Sequence, residues 1–308
     1  MAKIFESAEE LIGNTPLLSL GNLKKKLGLG ADILAKLELF NPAGSTKDRA
    51  ALYMINDAEK KGLLKEGSVI IEPTSGNTGI AIAAISAVRG YKAIIVMPSN
   101  MSKERIKLMQ AYGAEVILTD AALGMSGSIK EAERLKENYP DAIIAGQFYN
   151  PANPLSHYET TGPEIYGDTD GNVDFFVAGV GTGGTLSGTG KFLKEKLPEI
   201  KVIAVEPKGS PILSEGCSGS HGLQGIGAGF IPENLDTEIY DEVITVTEDE
   251  AYEMARLLAK SEGILAGISS GAALFAAVKI AEKPENKGKR IAVILPDTGM
   301  RYLSGDLF

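Results

Sequence analysis

The chain has 308 residues, 44% of them hydrophobic and 23% charged, a length that at roughly 150 residues per domain points to two domains with sizeable cores. Thirty-one Lys and Arg against 40 Asp and Glu give a net charge of −9, which argues against nucleic acid as a partner, since binding a phosphate backbone takes a concentrated basic patch. A single cysteine, Cys217, and two widely separated histidines, His157 and His221, exclude a disulfide scaffold, a clustered thiolate site and paired-histidine metal motifs.

The start, MAKIFESAEELIG, places Glu6, Glu9 and Glu10 where a signal peptide is apolar. No apolar run approaches the ~18 residues of a membrane span, so the expected location is the cytoplasm. Along the chain, the β-branched runs DILAKLEL, SVIIE, KAIIVMP, AEVILT, DAIIAG, DFFVAGV, KVIAVE, DEVITVT and KRIAVILP read as strands. Between most of them lie segments of helical period. These predict helices over Asp48 to Lys61, Gly79 to Arg89, Lys103 to Tyr112, Gly127 to Asn138, Leu186 to Lys196 and Glu248 to Ser261. The last has a capping box in Thr247 and Glu250. Strands alternating with crossover helices specify an α/β fold of two domains, each a mainly parallel twisted sheet flanked by helices. The turn-rich FYNPANPLSHYETTG after Gly146 reads as a crossing between domains, and GCSGSHGLQGIGAG, Gly216 to Gly229, as an irregular functional loop or hinge.

DFFVAGVGTGGTLSG runs from strand through glycine-rich turn to helix, an order that aims free backbone N–H groups and the positive helix end at a phosphate. Gly179, Gly181 and Gly184 satisfy GxGxxG, and Glu206 closes the next strand where a dinucleotide enzyme holds a ribose hydroxyl. This segment alone is compatible with an NAD-dependent oxidoreductase. A structural role for Glu206 beside Pro207 is the competing reading.

Lys47, in LELFNPAGSTKDR, follows a strand and a tight turn and heads a helix. There the positive macrodipole disfavours an ammonium and frees an amine to act as nucleophile or Schiff-base partner. A second strand-to-helix loop, Pro73 to Gly79, gathers Thr74, Ser75, Asn77 and Thr78. Two anion-binding loops and a lysine suit a phosphorylated cofactor and a substrate bearing a carboxylate.

NPAGSTKDR, EPTSGNTG, GVGTGGT, QGIGAGF and GISSG, in this order over most of the chain, closely resemble the pyridoxal-phosphate β-replacement enzymes, in particular the O-acetylserine sulfhydrylase (cysteine synthase) family, whose fold is tryptophan synthase β-like. The resemblance implies that Lys47 carries pyridoxal 5'-phosphate as a Schiff base and later acts as the base at Cα. It implies that Gly181, Thr182, Gly183, Gly184 and Thr185 bind the phosphate, that Asn77 meets the ring hydroxyl oxygen and that Ser269 meets the pyridine nitrogen. Thr74, Ser75, Asn77, Thr78 and Gln147 are implied for the substrate carboxylate, with Gly225 lying against the site. The dinucleotide reading leaves Lys47 and the TSGNTG loop unexplained.

The implied reaction turns O-acetylserine and sulfide into cysteine and acetate through an aminoacrylate. A neutral Ser269 at the ring nitrogen favours elimination over transamination. The implied domains are 40–145, smaller and mobile with the carboxylate loop, and 1–39 with 146–308, larger with the phosphate loop. A homodimer and docking of a serine acetyltransferase C-terminus in the active site are implied too. Ser126 and Met300 depart from the family's usual Lys and Glu. The alternatives within the fold are a cystathionine β-synthase and a sulfhydrylase using thiosulfate or O-phosphoserine. Neither histidine is needed by this scheme, and Cys217 reads as an incidental thiol.

Overall fold

A computed structural model describes residues 4–74 and 76–308; Ser75, expected at the substrate carboxylate, lies outside the described residues. Numbered along the chain, the strands are β1 Leu17–Ser19, β2 Asp32–Leu37, β3 Val69–Pro73, β4 Lys92–Pro98, β5 Glu115–Thr119, β6 Ile143–Ile144, β7 Phe175–Gly179, β8 Lys201–Pro207, β9 Glu242–Val246 and β10 Arg290–Leu295. The helices are α1 Gly21–Leu27, α2 Lys47–Lys60, α3 Asn77–Arg89, α4 Lys103–Ala111, α5 Gly124–Asn138, α6 Ala152–Ser156, α7 Gly162–Asp168, α8 Gly184–Lys196, α9 Glu248–Glu262 and α10 Ile268–Ala281. None of the helices among the described residues is long and apolar enough to cross a membrane.

Two compact units result, Met1–Ile12 with Asn41–Asn153 and Gly13–Phe40 with Pro154–Phe308. The smaller holds an all-parallel sheet in the order β5-β4-β3-β6. Its central strands β3 and β4 are largely apolar on both faces, because each face is covered. Ile70, Ile95 and Met97 pack with Met54, Ile55, Ile80 and Ile82 from α2 and α3, while Ile71, Ile94 and Val96 pack with Ala132 and Leu135 from α5. In the larger unit β1 runs antiparallel to β2, and the rest of the sheet β1-β2-β10-β7-β8-β9 is parallel. Val177, Val205, Val293 and Leu295 pack towards α9 and α10; Phe176, Ala204 and Ile294 pack with Leu186 and Leu193 of α8.

The six predicted helices occur, with α3, α5 and α8 starting two or three residues early because their first turns hold loop-like Asn77, Gly124 and Gly184. Two segments differ from the sequence reading. The turn-rich crossing is mostly helical, as α6, a π-helical turn His157–Thr161 and α7; Pro154 and Pro163 sit in first turns, where a missing N–H costs nothing. Helix α10 carries no polar face of period 3.6, since all of it but Phe275 and Lys279 is buried.

The smaller unit takes in the N-terminal segment to Ile12 and runs on to Asn153. A half-buried Arg89 ties that segment in, donating from Nε and Nη2 to Glu9 at 2.7 and 2.6 Å while its Nη1 pairs with Glu59 at 2.9 Å. In the larger unit Lys36, fully buried on β2, lies 2.6 Å from the Thr15 carbonyl, 2.9 Å from Glu164 and 3.3 Å from Asp168.

Candidate active site

In the smaller unit, Lys47 is the first residue of α2, and its N-cap, Thr46, makes no side-chain capping bond. The turn before it is pinned by buried Asp48, which accepts from the Ala43 amide at 2.6 Å and from the Ser45 hydroxyl at 3.4 Å. Lys47 therefore leaves a fixed turn at a positive helix end, half-buried.

Thr74 and Gly76 lie between β3 and α3, and Asn77 and Thr78 open the helix. Buried Thr74 accepts from the Gly76 amide at 3.2 Å, and buried Thr78 donates its hydroxyl to Gln147 Oε1 at 2.5 Å. Gln147 Nε2 donates in turn to the Pro73 carbonyl at 3.3 Å. The structure thus brings together Thr78, Gln147 and the end of β3, residues 69 positions apart in sequence at the closest pair. Asn77, half-buried, opens α3. Beneath this group lies Glu72, which the sequence reading passed over as a strand residue. It is fully buried and accepts from the Gly146 and Gln147 amides at 2.8 and 3.3 Å. Burial pushes its carboxyl up to about 7 against the pull of those hydrogen bonds and of a third from the Gln147 side chain. The available signal was one acid closing an otherwise apolar strand.

In the larger unit, residues 180–183 turn from β7 into α8, whose N-cap, Gly183, has φ 83° and no side-chain capping bond. The first amides of a thirteen-residue helix are left to an external acceptor. A Cβ on Gly181 would run into the Gly225 carbonyl oxygen, and one on Gly225 would stand 3.2 Å from Ser269 Oγ. Gly181, Gly225 and Ser269 therefore converge, with Ser269 buried in the first turn of α10. Thr185 Oγ1 lies 3.2 Å from His157 Nε2, while His157 Nδ1 meets Thr161 at 2.8 Å. His157 is a buried contact in the π-helical turn, directly against Thr185 of α8. Glu206 is spent on structure, accepting from Leu213 N, Ser214 N and Ser214 Oγ at 2.8, 3.0 and 2.6 Å.

The family model described as pyridoxal-phosphate dependent enzyme matches residues 8–297. The chain belongs to that family. Cysteine synthase of Staphylococcus aureus is 52% identical over 307 residues, covering 99% of this chain and 98% of that protein. Among solved structures, a cysteine synthase from Entamoeba histolytica superposes with a TM-score of 0.95 at 49% identity, over 99% of this chain and 91% of that one. A hydrogen sulfide-producing enzyme from Fusobacterium nucleatum gives 0.94 at 50% identity, over 97% and 100%.

As a member of the family, the enzyme uses pyridoxal phosphate, and its residues fit that group. Phosphate oxygens need donors without side chains in the way, and the 180–184 turn offers uncapped amides on a backbone that only glycine allows, since a Cβ at Gly181 would run into the Gly225 carbonyl oxygen and one at Gly183 into Leu235. An aldehyde needs an amine held in place, and Lys47 is held by its helix start. Glu206, to which a dinucleotide reading gives a ribose hydroxyl, already accepts three hydrogen bonds from the 213–214 turn.

Proposed function

We propose that the chain is a cysteine synthase, converting O-acetyl-L-serine and sulfide into L-cysteine and acetate in the last step of cysteine biosynthesis. The observation that carries this is the 52% identity to the S. aureus cysteine synthase along nearly the whole of both chains.

Gly181, Thr182, Gly183, Gly184 and Thr185 hold the cofactor phosphate, with the N-terminal amides of α8 as donors. Ser269 donates to or accepts from the pyridine nitrogen, and Asn77 contacts the ring hydroxyl oxygen. When bound, pyridoxal phosphate supplies the electron sink that lets a Cα proton leave. Thr74, Ser75, Asn77, Thr78 and Gln147 orient the substrate through its carboxylate, with Gly225 lining the site. Lys47 binds the cofactor and then, as a neutral amine, takes the proton from Cα. Acetate departs from Cβ, and sulfide takes its place. A neutral hydroxyl at position 269 does not hold a proton on the ring, which favours this elimination over transamination. The same reading makes the enzyme a cytoplasmic homodimer that accepts a serine acetyltransferase C-terminus, with residues 40–145 as the mobile substrate-binding part.

The test is the visible absorption spectrum of the holoenzyme. The expected result is a cofactor band that shifts when O-acetylserine is added and returns when sulfide follows, with cysteine appearing in step. Lys47→Ala abolishes sulfide-dependent cysteine formation, by at least ~10³-fold. A band indifferent to O-acetylserine, or wild-type turnover in Lys47→Ala, refutes the reading. Likeness to the Fusobacterium enzyme favours one second reading, release of sulfide from a thiol amino acid at the same residues; sulfide production from cysteine would distinguish it.

A further inference from the structure

We propose that Glu72 is a positioning residue for substrate binding, setting Gln147 in place through the backbone of the 146–147 turn and through the Gln147 side chain itself. It rests on the reading that residues 74–78 and Gln147 hold the substrate carboxylate.

Strand β6 is only Ile143–Ile144, and the ladder to β3 ends with the Ala145 amide on the Ile71 carbonyl at 3.3 Å. Past that point the chain must turn sharply. Gly146 has φ 76°, and a Cβ there would run into the Tyr149 ring, so the turn is open only to glycine. Two successive amides, of Gly146 and Gln147, then face inwards with no strand opposite them. The Glu72 carboxylate stands in for that strand and takes one amide on each oxygen. An amide left buried without an acceptor costs about 1–3 kcal/mol, which is enough to let this turn relax.

The side chain of Gln147 depends on that backbone and also donates to the Glu72 carboxylate directly. The Pro73 carbonyl can only accept, so it fixes the Gln147 NH2 towards itself and leaves Oε1 for the Thr78 hydroxyl. Asn153 Nδ2 holds the Gln147 carbonyl at 2.8 Å. Thr78 lies in the first turn of α3, among the residues read as receiving the substrate, and Glu72 lies one residue before Pro73. A single buried carboxylate thus ties the end of β3 to Gln147. Among the described residues Glu72 has no cationic partner, so a purely electrostatic role in an ion pair does not account for it. An apolar residue would fill this strand position more cheaply, by the cost of burying a charge.

The experiment compares the holoenzymes Glu72→Gln, Gln147→Ala and the double variant in steady-state kinetics with O-acetylserine and sulfide, recording the cofactor band of each. Gln keeps the size of Glu but can accept from only one of the two amides. The expected result for Glu72→Gln is a KM for O-acetylserine raised about tenfold, kcat changed by less than about twofold, and an unaltered cofactor band. Because Glu72 acts through Gln147, the double variant is no worse than Gln147→Ala alone. A KM within about twofold of wild type in Glu72→Gln, or losses that multiply in the double variant, overturns the proposal. Should Gln147→Ala itself leave KM unchanged, the carboxylate reading falls and this proposal falls with it, an outcome distinct from a failure of Glu72→Gln alone. Glu72→Asp retains the charge and withdraws it from the turn; where Glu72→Gln does not fold, the Asp variant takes its place, with a raised KM supporting the proposal and a wild-type KM refuting it.

Discussion

Replacing Glu72 with Gln changes how stability depends on pH, in a direction that burial determines. The Glu72 carboxyl is pushed from 4.5 to about 7 by desolvation, so the folded chain binds this proton more tightly than the unfolded chain does. The group's contribution to stability is therefore fully present below pH 4.5, declines as pH rises towards 7, and is constant above that. At about 1.4 kcal/mol per pH unit, the decline is on the order of 3 kcal/mol. Glutamine has no proton to release and lacks the decline. Other groups titrate alike in both proteins and cancel in the difference, as does any fixed cost of placing an amide NH2 against the turn. The stability of Glu72→Gln relative to wild type therefore rises by about 3 kcal/mol from acid to alkaline conditions. With an unfolding entropy of about 2 cal/mol/K per residue, that is a relative gain of ~4–5 °C in Tm for a chain of this length. Thermal unfolding of both holoenzymes, followed by circular dichroism between about pH 5 and about pH 8.5, reads most of this window. A Tm difference that stays constant to ~1 °C across it refutes the assignment of a buried, proton-binding carboxyl at Glu72.

Gly181→Ala drives a methyl into the Gly225 carbonyl oxygen, so either the 180–183 turn or the 225 loop must move; cofactor affinity falls at least about tenfold in a reconstitution titration, and an unchanged affinity refutes the phosphate-binding role proposed for this turn. Glu164→Gln removes the nearer carboxylate of fully buried Lys36, leaving the half-exposed Asp168. Complete loss of a buried pair costs about 3–5 kcal/mol, and with Asp168 and the Thr15 carbonyl still in place the expected loss is about 1–3 kcal/mol in chemical denaturation. No change in midpoint would show that Asp168 suffices. Ser269→Asp puts a carboxylate where the hydroxyl is, and the balance between half-reactions moves away from elimination in pre-steady-state spectra; an unchanged balance contradicts the role given to Ser269.

The class of fold is legible in the order of residues, because alternating β-branched runs and amphipathic helices can be buried in few ways other than parallel sheets with crossovers. So are the motifs around Lys47, Thr74–Thr78 and Gly181–Thr185, since strand-to-helix turns rich in Gly, Ser and Thr are local in sequence and announce themselves there. Helix α10 is not, because burial on all sides removes the polar face that marks a helix. The 152–168 segment misleads for the opposite reason: its Pro and Asn residues signal turns, yet first-turn prolines fit a helix. Nor does local sequence say whether Glu206 holds a ligand or a turn, a choice made by Ser214 folding back onto it.

The surroundings of Glu72 exist only in the folded chain. Nothing near it in sequence distinguishes an acid that ends a strand in solvent from one enclosed beneath a turn more than 70 residues away. A hydrogen bond across that separation follows from the parallel pairing of β3 with β6, which places the end of one strand beside the end of the other. The chemistry of a site is written in short motifs, but what holds its side chains still comes from whichever distant segment the sheet sets alongside them.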